Sequence, residues 1–312
     1  MSDPYAPCVI CGGALDDVLD GVFDTRFGIP GWFKIRACRK CGLEQTRPLF
    51  SSDELKAAYE THYNFGGERN TLYTRMRRFL FDSPLYRWWM AADGDISFHS
   101  RRGTGRLLDV GCNEGRGLRF YRRNGFQAEG LELNEKAAEA ARAEGFTVHT
   151  ALLEDFRPQS LYDVVVLSNV LEHVPDPSGT LHRVHRLLNP GGEVWISLPN
   201  AHSGLRAFFG RKWINWHVPF HLTHFTAEVL RGLLSSTGFE DVRVRQETPA
   251  LWAAHSLIAR VAARQGRPTR ALRRPLLVAS LMLVWRGILF PVSWWFSRTG
   301  RGDCLVLSAR KK

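Results

Sequence analysis

Acidic residues all but vanish from the C-terminal end of this 312-residue chain. Residues 256–312 carry 12 Lys and Arg but a single acid, Asp303, so the whole formal charge of +11 sits there. Residues 1–255 balance 30 basic against 30 acidic side chains. A uniformly basic, nucleic-acid-coating protein is thereby excluded, and the chain is a neutral body with a cationic tail. Cysteine is scarce: six residues, four of them in two C-x-x-C pairs. That pattern excludes the disulfide framework of a small secreted domain. No basic segment followed by an apolar core opens the chain, so no secretion signal is read and the cytoplasm is the expected compartment. Internal repeats and low-complexity tracts are missing too. What remains is 44% hydrophobic and 23% charged, an ordinary globular composition long enough for one large α/β domain with additions.

The first segment, residues 1–48, is turn-rich around its cysteines. Ser51-Ser52-Asp53-Glu54 has the form of a capping box and predicts a helix from Ser51. A longer helical stretch is expected from Arg69 to Met90, with Tyr73, Met76, Phe79 and Leu80 at helical spacing. From Arg106 the pattern changes to short apolar runs: 106–110, 127–132, 146–150, 162–168, 193–198 and 239–245. Amphipathic helices are expected between them, at 115–124, 134–144, 178–188 and 226–237. Strands at this spacing, separated by helices, predict a parallel sheet covered on both faces. A basic and apolar segment, 246–302, separates the sixth run from a last candidate strand, Cys304–Ala309.

Leu107-Leu108-Asp109-Val110-Gly111-Cys112-Asn113-Glu114-Gly115 reads as a buried strand, a glycine turn and the start of a helix. Glycines allow backbone to approach a ligand, and the helix N-terminus presents free N–H groups. A second strand ends about 20 residues on at Glu132, where a carboxylate can accept ribose hydroxyls. Taken alone, the turn is equally that of a dinucleotide fold. Asp109 argues otherwise, because a nicotinamide site has an apolar residue there. So does Asn113, which takes the place of the middle glycine. Further on come Tyr162-Asp163-Val164-Val165-Val166-Leu167-Ser168-Asn169-Val170-Leu171-Glu172-His173-Val174 and Leu188-Asn189-Pro190-Gly191-Gly192-Glu193.

In these stretches the sequence resembles the class I S-adenosylmethionine-dependent methyltransferases, over about residues 106–245 and with every motif in order. The resemblance implies an α/β fold: a seven-stranded, doubly wound, Rossmann-like sheet whose antiparallel last strand is Cys304–Ala309. It implies that Asp109, Gly111, Asn113 and Gly115 shape the pocket for the methionine part of S-adenosylmethionine, and that Glu132, next to Leu133, holds the ribose. Leu152 and Leu153 would line the adenine, and Asn169, Val170 and Leu171 would lie beside the sulfonium. Leu152 stands where many relatives have an acid, which shifts adenine recognition toward backbone near Leu153 or toward Asp155. The expected organisation is 1–48 as a zinc-ribbon-like segment, 49–100 as a helical linker, 101–245 plus 303–312 as the methyltransferase domain, and 246–302 as a helical insertion.

Cys8, Cys11, Cys38 and Cys41 offer four thiolates on two knuckles, each followed by glycine, which suits a closed structural Zn2+ site. His173 is one candidate to take a proton from the acceptor, with ordering of its loop as the alternative. The aromatic loop after the fifth strand supplies a second, His221. Its three histidines, His217, His221 and His224, read as a substrate-pocket wall, as packed loop residues or as metal ligands. In the tail, Arg286, Gly287 and Pro291 interrupt the apolar run Leu276–Phe296, and a return to the sheet at Cys304 rules out a single crossing. Two short helices lying in one leaflet, with the arginines of 260–274 at anionic headgroups, and a helical lid are the two readings. The expected function is methyl transfer to an oxygen or carbon of a small-molecule, glycan or lipid-linked acceptor, with peripheral contact to the inner face of a membrane through 260–296. An rRNA methyltransferase and a non-catalytic scaffold are the alternatives. The neutral charge of 1–255 argues against nucleic acid.

Overall fold

Strands that are apolar on both faces leave their backbone groups unpaired until they lie side by side with helices above and below. They do so in the computed structural model of the chain, which describes residues 6–62 and 83–312. Three strands come first: β1 (Leu15–Val22), β2 (Phe33–Cys38) and β3 (Glu44–Arg47), paired antiparallel. Helix α1 (Ser52–His62) follows, and its capping box is formed. The Ser51 hydroxyl accepts from the Glu54 N–H at 3.2 Å, and the Glu54 carboxylate accepts from the Ser51 N–H at 2.8 Å. Most of the helix expected over 69–90 lies outside the described residues. Its described end is α2 (Pro84–Asp93), whose N-cap Ser83 accepts from the Tyr86 N–H.

The alternating region then runs β4 (Arg106–Val110), α3 (Arg116–Arg123), β5 (Gln127–Leu131), α4 (Glu135–Arg142), β6 (Thr147–His149) and β7 (Tyr162–Ser168). It continues with α5 (Pro177–Leu187), β8 (Leu188–Pro199), α6 (Gly204–Phe209), β9 (Thr223–His224), α7 (Ala227–Ser236) and β10 (Phe239–Glu247). The insertion holds α8 (Ala250–Ala262), α9 (Pro275–Ile288) and α10 (Phe290–Arg298), and β11 (Cys304–Lys311) ends the chain. Seven strands pair in the order β10-β11-β8-β7-β4-β5-β6. β11 is antiparallel to both neighbours, as the resemblance implied, and the β8-β7-β4-β5-β6 pairings are parallel. β8 begins five residues earlier than expected, because Tyr162 already pairs with Leu188 before a bulge and the turn at Gly191.

The period of two along each strand divides the core. Leu108, Val165, Leu167 and Ile196 face α5 and α7 through Leu181, Val184, Leu230 and Leu234. Leu107, Val164, Val166 and Trp195 face α3 and α4 through Leu118, Tyr121, Ala138 and Ala141. Burying alternate residues on opposite faces is what makes these strands read as continuous apolar runs.

The N-terminal segment is not set apart from this body. Cys8, Leu15, Cys38 and Leu43 are buried in the same core as the main sheet. β3 also pairs with β9, through Glu44↔His224 and Gln45↔Thr223, which makes a second sheet in the order β1-β2-β3-β9. Val22, Phe33 and Ile35 share a further core with Phe209, Trp213, Trp216 and Ala253 of the loop and the insertion. The insertion leaves the sheet at Glu247 and returns at Cys304, and these two residues are register partners.

Candidate active site

β4, β5 and β7 end together, and each end turns sharply. After β4, Gly111 has φ of 71°, Asn113 of 53° and Gly115 of 78°. A side chain at Gly111 would put its Cβ 3.0 Å from Val170 Cγ2, and one at Gly115 would sit 2.9 Å from Ala141 Cβ. Only glycine lets β4 and the start of α3 approach the neighbouring elements this closely. The Gly111 N–H donates to the Leu131 carbonyl at 2.7 Å, which draws the β4 and β5 ends together. Asn169, just past β7, is also left-handed, with φ of 55°. Asparagine tolerates this conformation better than other residues with a Cβ.

Two carboxylates frame the turn. Each oxygen of Glu132 accepts one backbone N–H, from Asn113 at 2.9 Å and from Asn134 at 2.8 Å. The group is thus fixed in place while the remaining lone pairs stay open. Asp109 is buried against Gly117, and burial, reinforced by the nearby Glu132 charge, pushes its carboxyl up to about 7. Of the residues expected at the adenine, Leu152 is exposed, whereas Leu153 is in the main core with Val110 and Leu131. Leu133 is exposed beside Glu132, and Leu171 is fully buried under the turn that follows β7.

That turn carries the second part of the site. Leu171–His173 forms one 3-10 turn, in which the His173 N–H donates to the Val170 carbonyl at 3.0 Å. His173 Nδ1 lies 3.1 Å from the Phe220 carbonyl and 2.8 Å from the Tyr59 hydroxyl of α1. A carbonyl only accepts, so Nδ1 carries the proton and Nε2 holds the lone pair. His221 Nδ1 donates to the Asn215 carbonyl at 2.8 Å in the same sense, which leaves its Nε2 facing Glu172 Oε1 at 4.0 Å. Burial pushes His173 down to about 4, holds His221 well below the ordinary range, and raises Glu172 to about 8. Both imidazoles are neutral at physiological pH.

Glu172 is 1% exposed, and neither of its oxygens has a hydrogen-bond partner among the described residues. Its ligand atom and those of His173 and His221 all lie within 4.8 Å of one another. A carboxylate with two imidazoles in that space can hold a proton or a divalent cation.

This trio differs from the one expected in the loop. His224 Nε2 is taken by the Thr46 hydroxyl at 3.0 Å, and His217 stacks on His221. Of the loop aromatics, Trp213 and Trp216 are buried in the core shared with β1, β2 and α8, and Phe220 is buried against Ile29 and Ala58. Glu172 belongs to the Leu171-Glu172-His173-Val174 motif, but nothing in the sequence shows that its carboxylate is left unpaired. Tyr59, Asn215 and Asp303 carried no signal at all. The buried Asp303 carboxylate accepts from the Ser203 hydroxyl, from Trp213 Nε1 at 2.8 Å and from Asn215 Nδ2 at 3.0 Å. It thereby fixes the residue whose carbonyl orients His221.

β3 braces the same loop. The Thr46 hydroxyl donates to the His221 carbonyl at 2.7 Å, and the Thr46 N–H to the Leu222 carbonyl at 3.0 Å. The Leu222 N–H donates in turn to the Glu172 carbonyl at 2.8 Å. At the far end of the ribbon the four cysteine sulfurs lie within 4.8 Å of one another, with Cys8–Cys41 at 3.6 Å and Cys11–Cys38 at 3.4 Å. Zn–S bonds of about 2.3 Å in a tetrahedron give edges of about 3.8 Å, so the four thiolates fit that ion.

A family model described as a methyltransferase domain matches residues 76–244. The ubiquinone biosynthesis O-methyltransferase of Aromatoleum aromaticum is 31% identical over 141 residues, 38% of this chain and 60% of that protein. Its counterpart in Methylococcus capsulatus is 31% identical over 176 residues, 48% of this chain and 73% of that protein. The chain thus spans only about three-fifths of the first curated relatives it matches, 60% for Aromatoleum aromaticum and 58% for Erwinia tasmaniensis. Among solved structures, the 1,6-didemethyltoxoflavin-N1-methyltransferase of Burkholderia thailandensis, with 1,6-didemethyltoxoflavin and S-adenosylhomocysteine bound, is similar at 17% identity and a TM-score of 0.46. That match covers 90% of this chain and 96% of that one.

Proposed function

The chain belongs to the methyltransferase domain family, and from that premise we propose that it moves the methyl group of S-adenosylmethionine onto a hydroxyl oxygen of a small molecule. The cofactor is an activated sulfonium, so the protein's task is to position and desolvate the acceptor and to remove its proton. Asp109, Gly111, Asn113 and Gly115 hold the methionine end in this reading. Glu132 and Leu133 hold the ribose, Leu152 and the backbone at Leu153 border the adenine, and Asn169, Val170 and Leu171 border the reacting carbon. The left-handed turn at Gly111, Asn113 and Gly115, set between the Asp109 and Glu132 carboxylates, supports that placement.

The observation that carries the oxygen acceptor is the Glu172, His173 and His221 cluster. A hydroxyl must lose a proton as it is methylated. The Nε2 lone pair of His173 or of His221 accepts it, and the buried Glu172 carboxyl, whose own proton burial retains up to about pH 8, lies within reach of both rings. The relatives in Aromatoleum aromaticum and Methylococcus capsulatus are O-methyltransferases by name, which supports the same acceptor atom. Zn2+ on Cys8, Cys11, Cys38 and Cys41 holds the ribbon that braces the His221 loop, a structural role. An RNA acceptor is less well supported, because the ribbon's Lys34, Arg36 and Arg39 are paired with Asp17 and Asp16.

The test is methyl transfer from labelled S-adenosylmethionine into phenols, catechols, lipid-linked phenols and glycans, with products resolved by mass. Methylation of at least one hydroxyl class, lost in His221→Ala while calorimetric cofactor binding persists, is the expected result. Methylation of nitrogen or RNA alone overturns the acceptor assignment, and absence of cofactor binding overturns the whole reading.

A further inference from the structure

Among the described residues, exposed large apolar side chains occur singly over much of the surface but are concentrated on α9 and α10. α9 buries Val278 and Trp285 and turns Leu276, Leu283, Val284 and Ile288 outward, at 82%, 64%, 50% and 70% exposure. Spacings of seven, eight and twelve residues from Leu276 put all four on one helical face. α10 adds Trp294 and Trp295, 48% and 59% exposed. The two helices meet at a 71° bend and are tied by Trp285 Nε1 donating to the Ser293 hydroxyl at 2.8 Å. Single exposed apolar residues need no partner, but a contiguous patch of them marks a surface that meets one.

Charge decides which partner. Arg260, Arg264, Arg267, Arg270, Arg273 and Arg274 precede α9, and all six are exposed. The one acid of residues 256–312, Asp303, is buried and already accepts three hydrogen bonds. A second copy of the chain would set these arginines against their own kind. An anionic lipid surface offers headgroups to the arginines and acyl chains to the leucines, with tryptophan at the boundary. Among the described residues no single helix is long and apolar enough to cross a bilayer. The register pairing of Glu247 with Cys304 returns the chain to where it left the sheet. Helices lying in the interface satisfy both conditions.

We infer that α9 and α10, with the arginines of 260–274, dock this protein on an anionic lipid surface. Cys304 pairs with Pro199 at the carboxyl end of β8, the end of the sheet at which Asn169 follows β7. The insertion is thus rooted at that end of the sheet. The inference goes beyond the methyl-transfer reading and does not depend on it.

The experiment is sedimentation of the full chain with vesicles of phosphatidylcholine alone and of equal parts phosphatidylcholine and phosphatidylglycerol. Association with the anionic vesicles only, weakening as salt is raised, is expected. Arg267→Gln with Arg270→Gln should lower partitioning about thirtyfold, about 1 kcal/mol for each basic residue at such a surface. Leu283→Ser with Ile288→Ser should lower it about a hundredfold, about tenfold for each side chain withdrawn from lipid. Unchanged far-ultraviolet circular dichroism and melting temperature show that the variants are folded. Equal sedimentation with neutral vesicles, or binding that neither variant weakens, overturns the inference. So does a dimer in analytical ultracentrifugation that Ile288→Ser dissolves, or binding to duplex RNA that Leu283→Ser abolishes.

Discussion

Replacing Asp109 by asparagine should stabilise the unliganded protein and abolish cofactor binding together. Burial holds the Asp109 carboxyl near 7, about three units above an unfolded aspartate at about 3.9. Below about pH 4 both states are protonated and the folded protein bears no penalty. Between there and about pH 7 the unfolded chain ionises first, so stability falls as pH rises. Above about pH 7 the penalty is complete, about 4 kcal/mol at 1.36 kcal/mol per unit. Asparagine has the same shape and no charge to desolvate. Urea denaturation of both proteins should give similar midpoints at about pH 4 and a gain of several kcal/mol for Asp109→Asn at about pH 8. Calorimetry with S-adenosylmethionine should meanwhile lose its heat in the variant, because the cationic ligand no longer meets a carboxylate. A variant less stable than the parent by the same amount at both pH values would refute the reasoning. It would mean that hydrogen bonds to the charged form, and not desolvation, govern the group.

Thr46→Val removes the hydroxyl that serves the His221 carbonyl and His224 Nε2 inside the core. A loss of about 1–3 kcal/mol is expected by calorimetry, with kcat reduced and cofactor affinity unchanged, since the brace reaches the loop and not the glycine turn. Glu172→Gln keeps the shape but cannot ionise, whereas burial lets the native carboxyl ionise only above about pH 8. The two proteins should share their kcat near pH 7, and the variant should fall about tenfold below the parent near pH 9 in a labelled-methyl assay, while the calorimetric Kd for the cofactor stays level. A strong chelator should release one Zn2+ per chain, read by a colorimetric zinc dye, and lower the melting temperature. Hydrogen exchange should then quicken at β3 and β9 before it does at β4 and β7.

The main sheet was legible because its evidence is local. Asp109 through Gly115 is a strand, a turn and a helix start within seven residues, and each strand's period follows from its own apolar positions. The capping box at Ser51 and the cysteine knuckles were legible for the same reason, since their partners lie within a few residues. The boundaries strayed where a long-range partner intervened. β8 begins at Leu188 because Tyr162 pairs with it, and the loop aromatics became core because the ribbon and α8 close around them.

Most of the site's chemistry was not local. Glu172, His173 and His221 meet only because β9 returns to pair with β3, and Thr46 and Asp303 orient His221 from the two ends of the chain. No periodicity encodes such a meeting, since it depends on which buried lone pairs are left once every other partner has been assigned. The amino-acid order by itself determined the strand pattern, the glycine turn, the four thiolates and a cationic tail, all properties of neighbouring residues. Only the tertiary structure decided which carboxylate stays unpaired, which imidazole nitrogens carry their protons and which face of α9 is left bare. Those three are set by burial, and burial is settled only when distant segments have packed.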